Sequence, residues 1–189
     1  MSKDRSGSSG QERRLTTSIF TQVELFTDER KSIEDIKILG LIDNVRMHKY
    51  IPIRYLENDE QIAKFKVVVP KSNGSGELGE TLSSPLVIGP KNGFTQSFIG
   101  IGLFEKEEEA ESLLKYIKTK FARTLLGTLK VTQHNPPGTW KNIPLQDFTQ
   151  NSDIDWSKSV PEIDKQLYKK YDLCDAEICF IEEKVEPMD

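Results

Sequence analysis

The spacing of apolar residues changes character once along this chain. Up to Phe104 they alternate with polar residues or form short β-branched runs; beyond it they recur every three or four positions. The first part predicts strands at "SIFTQVELF", "IKILGLI", "KYIPIRYL", "KFKVVV", "SPLVIGP" and "TQSFIGIGLF". Pro70 stops the fourth, and "KNG" supplies turn chemistry between the last two. The second part predicts a long helix from Glu105. Its glutamate-rich first turn suits the positive end of the helix dipole, and Ala110, Leu113, Leu114, Ile117, Phe121 and Leu125 form its buried stripe. Gly127 is its expected stop, and "HNPPG" follows as a loop. Two shorter helices are predicted at "SVPEIDKQLYKKYDL" and "CDAEICFIEEKV". Ser159 is the N-cap of the first and Pro161 sits in its opening turn. Ile163, Leu167, Tyr168, Ile178 and Ile181 recur at helical spacing and are expected to bury against the sheet. Asp164, Asp172, Asp175, Glu177 and Glu182 are expected to face solvent.

Strands first and helices last predict an α+β fold: a mostly antiparallel sheet followed by a long helix and two short C-terminal helices. Residues 1–15 are polar and Gly/Ser-rich and read as a flexible leader or linker, with one domain over 16–189. "IPLQDF" reads as core, with Pro144, Leu145 and Phe148 as anchors, and Trp156 as a core or docking residue.

Composition narrows the function classes. The 189 residues are 30% charged and 36% hydrophobic, which fits one domain with a modest core. No apolar run has the length of a membrane span, and the N-terminus has no apolar leader, so a cytoplasmic location without membrane partners is expected. Cys174 and Cys179 lie five apart in a helical pattern, which argues against a disulfide; His48 and His134 have no neighbouring ligand set, which argues against zinc. The net charge of -4 hides a split: residues 1–133 carry 20 Lys+Arg against 18 Asp+Glu, and residues 134–189 carry 6 against 12. A basic surface on the body can therefore face phosphate while the acidic third faces away.

Three motifs suggest nucleotide chemistry and lack its context. Gly74–Gly76–Gly79 spells G-x-G-x-x-G, but "ETLSSPLVIGP" follows where a phosphate-binding helix is needed, and no ribose-binding acid stands about 20 residues further on. Phe98–Gly100–Gly102 spells F-x-G-x-G inside a strand. Asn135–Pro136–Pro137 is followed by Gly138, where amino-methyltransferases place an aromatic that stacks on the flipped base. Asp153 and Asp155, with the loose matches "ENDEQIAKFK" and "AEICFIEEK", leave a metal-dependent nuclease as an alternative.

Four stretches carry a more specific likeness: "KSNGSGELGETLSSP", "FIGIGLFEKEEEAESLLKYIKTKFARTLLGTLKVTQ", "IPLQDFTQNSDIDWSKSVPEIDKQLYKKYDL" and "AEICFIEEKVEPM". From about Phe20 to its end the chain resembles the C-terminal target-recognition region of type II restriction–modification enzymes with a fused adenine-N6 DNA methyltransferase. The resemblance implies a sequence-reading partner of double-stranded DNA, joined to an adenine methyltransferase domain or subunit. It places S-adenosylmethionine and the catalytic motif in an upstream domain, with no cofactor and no catalytic residue in this chain. A restriction endonuclease subunit and a protein-docking domain of the methyltransferase remain alternatives.

The chemistry of the residues suits DNA contact. In the loop Lys71, Ser72, Asn73, Gly74, Ser75, Gly76 there is one cation, three short hydrogen-bonding side chains and two glycines that let backbone N–H groups approach phosphate. Tyr116, Lys120 and Arg123, at i, i+4 and i+7 of the predicted long helix, are expected on one exposed face, with the cations on phosphate. Lys130, Thr132, Gln133 and His134 follow at the helix exit. Gln133 can read adenine, and Lys130 guanine or phosphate.

Overall fold

The computed structural model describes residues 15–56, 60–72, 77–129, 137–140 and 143–188. Its architecture is α+β, with strands preceding helices, but the strands form two three-stranded sheets instead of one. In the first, β1 (Asp35–Ile42) pairs antiparallel with β2 (Val45–Pro52) and parallel with β5 (Asn92–Phe94). In the second, β3 (Phe65–Pro70) lies antiparallel between β4 (Leu86–Ile88) and β6 (Phe98–Phe104). Leu39 of the first sheet meets Val68, Ile88 and Phe98 of the second in a small shared core.

Two strand expectations fail for identifiable reasons. "SIFTQVELF" is not a strand. Ile19–Gln22 forms a one-turn helix, α1, with the backbone N–H groups of Thr21 and Gln22 on the Ser18 carbonyl. Ile19, Val23 and Phe26 are spaced i, i+4, i+7, and they pack with Phe20 on one face of β1. Gly40 makes this possible, since a Cβ there would stand 2.4 Å from the Phe20 ring. "KNG" is not a hairpin turn either. Asn92 donates to the Gly89 and Pro90 carbonyls, and β5 crosses to the first sheet, so β4 and β6 never pair with each other. The third strand starts earlier than "KYIPIRYL" suggests, because Asp43 and Asn44, with φ of 51° and 63°, form a tight hairpin turn. Beyond Pro52 it gives way to a single 3-10 turn, Ile53–Tyr55, and α2 (Glu60–Ala63) precedes β3.

The predicted long helix is two helices, α3 (Glu107–Lys118) and α4 (Lys120–Leu129). At Thr119 the backbone turns extended, with ψ 148°. The Thr119 hydroxyl donates to the Tyr116 carbonyl at 2.6 Å and accepts the Ala122 N–H at 3.1 Å, which ends one helix and caps the next. α3 lies on β3, β4 and β6. A short helix, α5 (Pro137–Trp140), stands where a loop is expected at "PPGTW".

The final helices, α6 (Val160–Lys170) and α7 (Asp175–Lys184), lie where the sequence places them. Ser159 and Glu162 form a capping box, and Pro161 opens α6. Ile163, Leu167, Tyr168 and Ile181 are buried as expected, and Ile178 half-buried, but they pack chiefly on α3 and α4 and not on the sheet. Phe148 and Trp156 join Tyr116 in an aromatic cluster, whereas Leu145, expected in the core, is 91% exposed. Cys174 and Cys179 are both free. Among the described residues no helix is long and apolar enough to cross a membrane.

Candidate nucleic-acid interface

The site nominated by the sequence divides into three parts in the structure. Lys71 and Ser72 lie exposed just past the end of β3. Asn73, Gly74, Ser75 and Gly76, like Lys130, Thr132, Gln133 and His134, fall outside the described residues. Tyr116, Lys120 and Arg123 sit on the far side of the second sheet from its shared core, within or against the packing of α3, α4, α6 and α7.

The expectation that those three residues face DNA is corrected by their surroundings. Tyr116 is 2% exposed; its ring packs on Phe148 and Trp156, and its hydroxyl donates to the Pro144 carbonyl at 2.8 Å. Burial pushes its phenol well above the usual tyrosine range. Lys120 donates to the Glu182 carboxylate at 2.6 Å and to the Glu182 carbonyl at 3.0 Å. Arg123 is 3% exposed. Its Nε donates to the Lys118 carbonyl at 3.0 Å, one terminal nitrogen donates to the Glu80 and Gly79 carbonyls at 3.3 and 3.5 Å, and the other donates to the Glu186 carbonyl. Burial holds the guanidinium below its ordinary value. The helix break at Thr119 removes the single face that i, i+4, i+7 spacing implies. Four of the guanidinium's five N–H donors are spent on backbone carbonyls and the group is buried, so it is poorly placed to meet phosphate.

Asp164, expected on the surface, is 2% exposed. Its two oxygens accept the N–H groups of Lys120 and Phe121 at 3.0 and 2.9 Å, capping α4 from 43 or 44 residues away. Burial pushes its carboxyl up to about 6, against the pull of those two bonds and of Arg123.

Arg123 nevertheless bears on the nominated loop, because it holds one of the loop's feet. The segment Leu78–Glu80 is clamped between α4 and the C-terminal tail. Arg123 binds the Gly79 and Glu80 carbonyls, the Glu186 N–H donates to the Gly79 carbonyl at 3.1 Å, and Gly127 gives way to Leu78. Gly79 has φ 88°, and a Cβ there would lie 2.1 Å from the Lys184 carbonyl oxygen. This accounts for the last glycine of G-x-G-x-x-G by packing, and irregular backbone followed by β4 comes after it. The glycines of F-x-G-x-G also answer to neighbours: Gly100 to the Phe94 ring, Gly102 to Phe104 and Leu113. Of Asn135–Pro136–Pro137, only Pro137 falls within the described residues, as the first residue of α5.

The other foot is equally fixed. The Lys71 N–H donates to the Ser97 carbonyl at 2.9 Å, continuing the β3–β6 ladder, and the Ser97 hydroxyl donates to Thr17 at 3.2 Å. Arg46 of β2 stacks over Phe98, the partner of Pro70, and donates to the Ser83 and Ser84 carbonyls, both at 2.8 Å. Lys71, Ser72, Ser97, Thr17, Ser83, Ser84 and Arg46 thus rim one end of the second sheet. Arg46 went unnoticed in the sequence, though Asp43-Asn44 between two alternating runs marks the hairpin that presents it. Among the described residues no group of three His, Cys, Asp or Glu side chains could hold a metal ion. Asp153 is paired with Lys170 at 2.7 Å, and Asp155 binds Ser157. No family model, no curated protein and no solved structure matches this chain.

Proposed function

We propose that the chain is a sequence-specific DNA-recognition module of a restriction–modification system, acting with an adenine-N6 methyltransferase domain or subunit that carries the cofactor site. The observation that supports this most is the anchoring of the 73–76 segment. Lys71 continues a sheet ladder on one side, and Leu78–Glu80 is bound by Arg123 and the tail on the other. With both flanks fixed, a short polar segment between them would lose little entropy on meeting base edges. The hydroxyl-rich rim with Lys71 beside them offers donors to phosphate.

Selection from random duplexes tests this role. The full chain, joined to a methyltransferase if its own affinity is low, is expected to enrich one motif. Asn73→Ala or Gln133→Ala is expected to relax one position of that motif by about tenfold to a hundredfold, the worth of a bidentate base contact. Lys71→Gln is expected to weaken all duplexes alike and to flatten the salt dependence by about one unit. Recovery of random sequence by the wild type would refute sequence reading. A docking role on a methyltransferase is the second reading, and one feature favours it: an apolar groove of about 420 Å³ between α4 and α7, lined by Phe121, Leu125, Leu173, Phe180 and Ile181. Binding to the methyltransferase without any salt-dependent DNA affinity would decide for that role.

A further inference from the structure

Next to the rim, one face of the β1–β2 pair carries Arg46 and Lys37 with His48 between them. Its register sets Arg46 opposite Leu41, His48 opposite Leu39 and Tyr50 opposite Lys37, so these six side chains share a face. Leu39 and Leu41 are covered by the second sheet. β2 is the outer strand, so its side chains overhang that junction: His48 is exposed and Arg46 and Tyr50 are half-buried, as is Lys37 of β1 opposite Tyr50. Arg30 lies 5.6 Å from the centre of the Tyr50 ring, and Arg46 lies 5.6 Å from that of Phe98.

Among the described residues, no carboxylate forms an ion pair with Arg30, Lys37, Arg46 or His48. The ion pair that β2 does make, Lys49 with Asp28, is on the opposite face, where Lys49 stands across from Ile38. Burial, and then the charge of Lys37, hold the His48 imidazole below its ordinary value. Like charges kept together without a counter-charge form a positive field that an anion relieves.

We propose that this strip, Arg30, Lys37, Arg46 and His48 around the ring of Tyr50, binds the phosphate backbone of double-stranded DNA alongside the Lys71–Ser72 rim. The assignment rests on the DNA-recognition role proposed above. Three observations favour a duplex over an acidic protein strand. The outer backbone edge of β2 is already taken at Tyr50, which exchanges hydrogen bonds with Thr27 at 2.8 and 3.0 Å, so strand addition is obstructed there. Apart from the single ring of Tyr50, what the strip presents is charged or polar, whereas protein interfaces are depleted of charge at their core. It is also continuous with the rim, since Arg46 stacks on Phe98, Phe98 pairs with Pro70, and Lys71 follows. The Arg46 guanidinium is fixed by two carbonyls and has further N–H donors to offer.

The test is the salt dependence of binding to a random-sequence duplex, measured by fluorescence anisotropy on the full chain. Arg30→Gln, Lys37→Gln and the double variant remove charge without removing a hydrogen bond, and a thermal melt checks that each folds. Each single change is expected to flatten the slope by about 0.9, so that the affinity lost between about 50 and 200 mM salt shrinks by about 3.5-fold per residue. Lys169→Gln, on the exposed side of α6, is the control and should leave the slope unchanged. A steep slope in the wild type that persists in the double variant would overturn the strip and leave the DNA-recognition role standing. A wild type that binds no duplex at all would overturn both. Tighter binding of a polyglutamate peptide than of the duplex, lost on Lys37→Gln, would assign the strip to an acidic protein and also overturn the proposal.

Discussion

Replacing Arg123 by methionine distinguishes a structural cation from a DNA contact. Methionine keeps the length of the stem and removes every donor. The Gly79 carbonyl keeps a partner, because it also accepts the Glu186 N–H. The carbonyls of Lys118, Glu80 and Glu186 each lose a hydrogen bond from a charged donor. These bonds are part-buried, so each is worth the lower end of the about 1.5–3 kcal/mol of a hydrogen bond to a charged group. Asp164, itself 2% exposed, loses the nearby positive charge that offsets part of its burial. Release of the guanidinium's own desolvation works the other way, and a net loss of about 3–4 kcal/mol is expected. In a chain of this length each kcal/mol moves Tm by about 2–4 °C, so Arg123→Met should melt roughly 10 °C below the wild type. Arg123→Lys retains the charge but not the fork, and should fall between the two. Differential scanning calorimetry at neutral pH measures both variants. A melting temperature for Arg123→Met within about 2 °C of the wild type would refute the clamp. If such a variant also lost duplex affinity, the phosphate role would be restored.

Asp164 gives a prediction of opposite character. Its folded-state carboxyl, at about 6, binds a proton more tightly than in the unfolded chain, so its contribution is most favourable below about pH 4 and is lost as pH rises through about 6. The stability of the wild type relative to Asp164→Asn should therefore fall by about 3 kcal/mol between about pH 4 and 7, and a flat or rising difference in urea titrations would contradict it. Gly79→Ala combines a positive φ with a Cβ 2.1 Å from the Lys184 carbonyl oxygen. It should cost about 2–4 kcal/mol, and an unchanged urea midpoint would show that the tail does not hold the loop's foot.

Elements whose signals are local were legible in the sequence. "KFKVVV" is β-branched and closed by proline, and α6 carries its own capping box and proline. Elements decided by distant partners were not. No glycine or proline marks the break at Thr119, and Leu113, Ile117, Phe121 and Leu125 keep helical spacing across it. What ends α3 is the Thr119 hydroxyl, and what starts α4 is that hydroxyl together with a carboxylate on α6. The division into two sheets was equally hidden, since nothing local in "NGF" says that it pairs parallel with β1.

The cations show the same limit most clearly. Lys66, Lys120 and Arg123 look like surface residues in a linear reading. Yet Lys66 is 1% exposed with its ammonium on the carbonyls of Gln61, Lys64 and Asn92, and Arg123 is ringed by four carbonyls. A sequence displays a cation's charge and not the acceptors that wait for it, and those acceptors lie up to 63 residues away. The useful criterion is therefore whether the fold already satisfies the charge. Lys66, Lys120 and Arg123 are satisfied, and a ligand would have to compete with the fold for them. Arg30 and Lys37 hold their charges beside aromatic and like-charged neighbours, with no carboxylate among the described residues in an ion pair with either. A phosphate approaching β2 breaks no internal bond of theirs, and on that ground β2 is a better candidate for backbone contact than the face of α4.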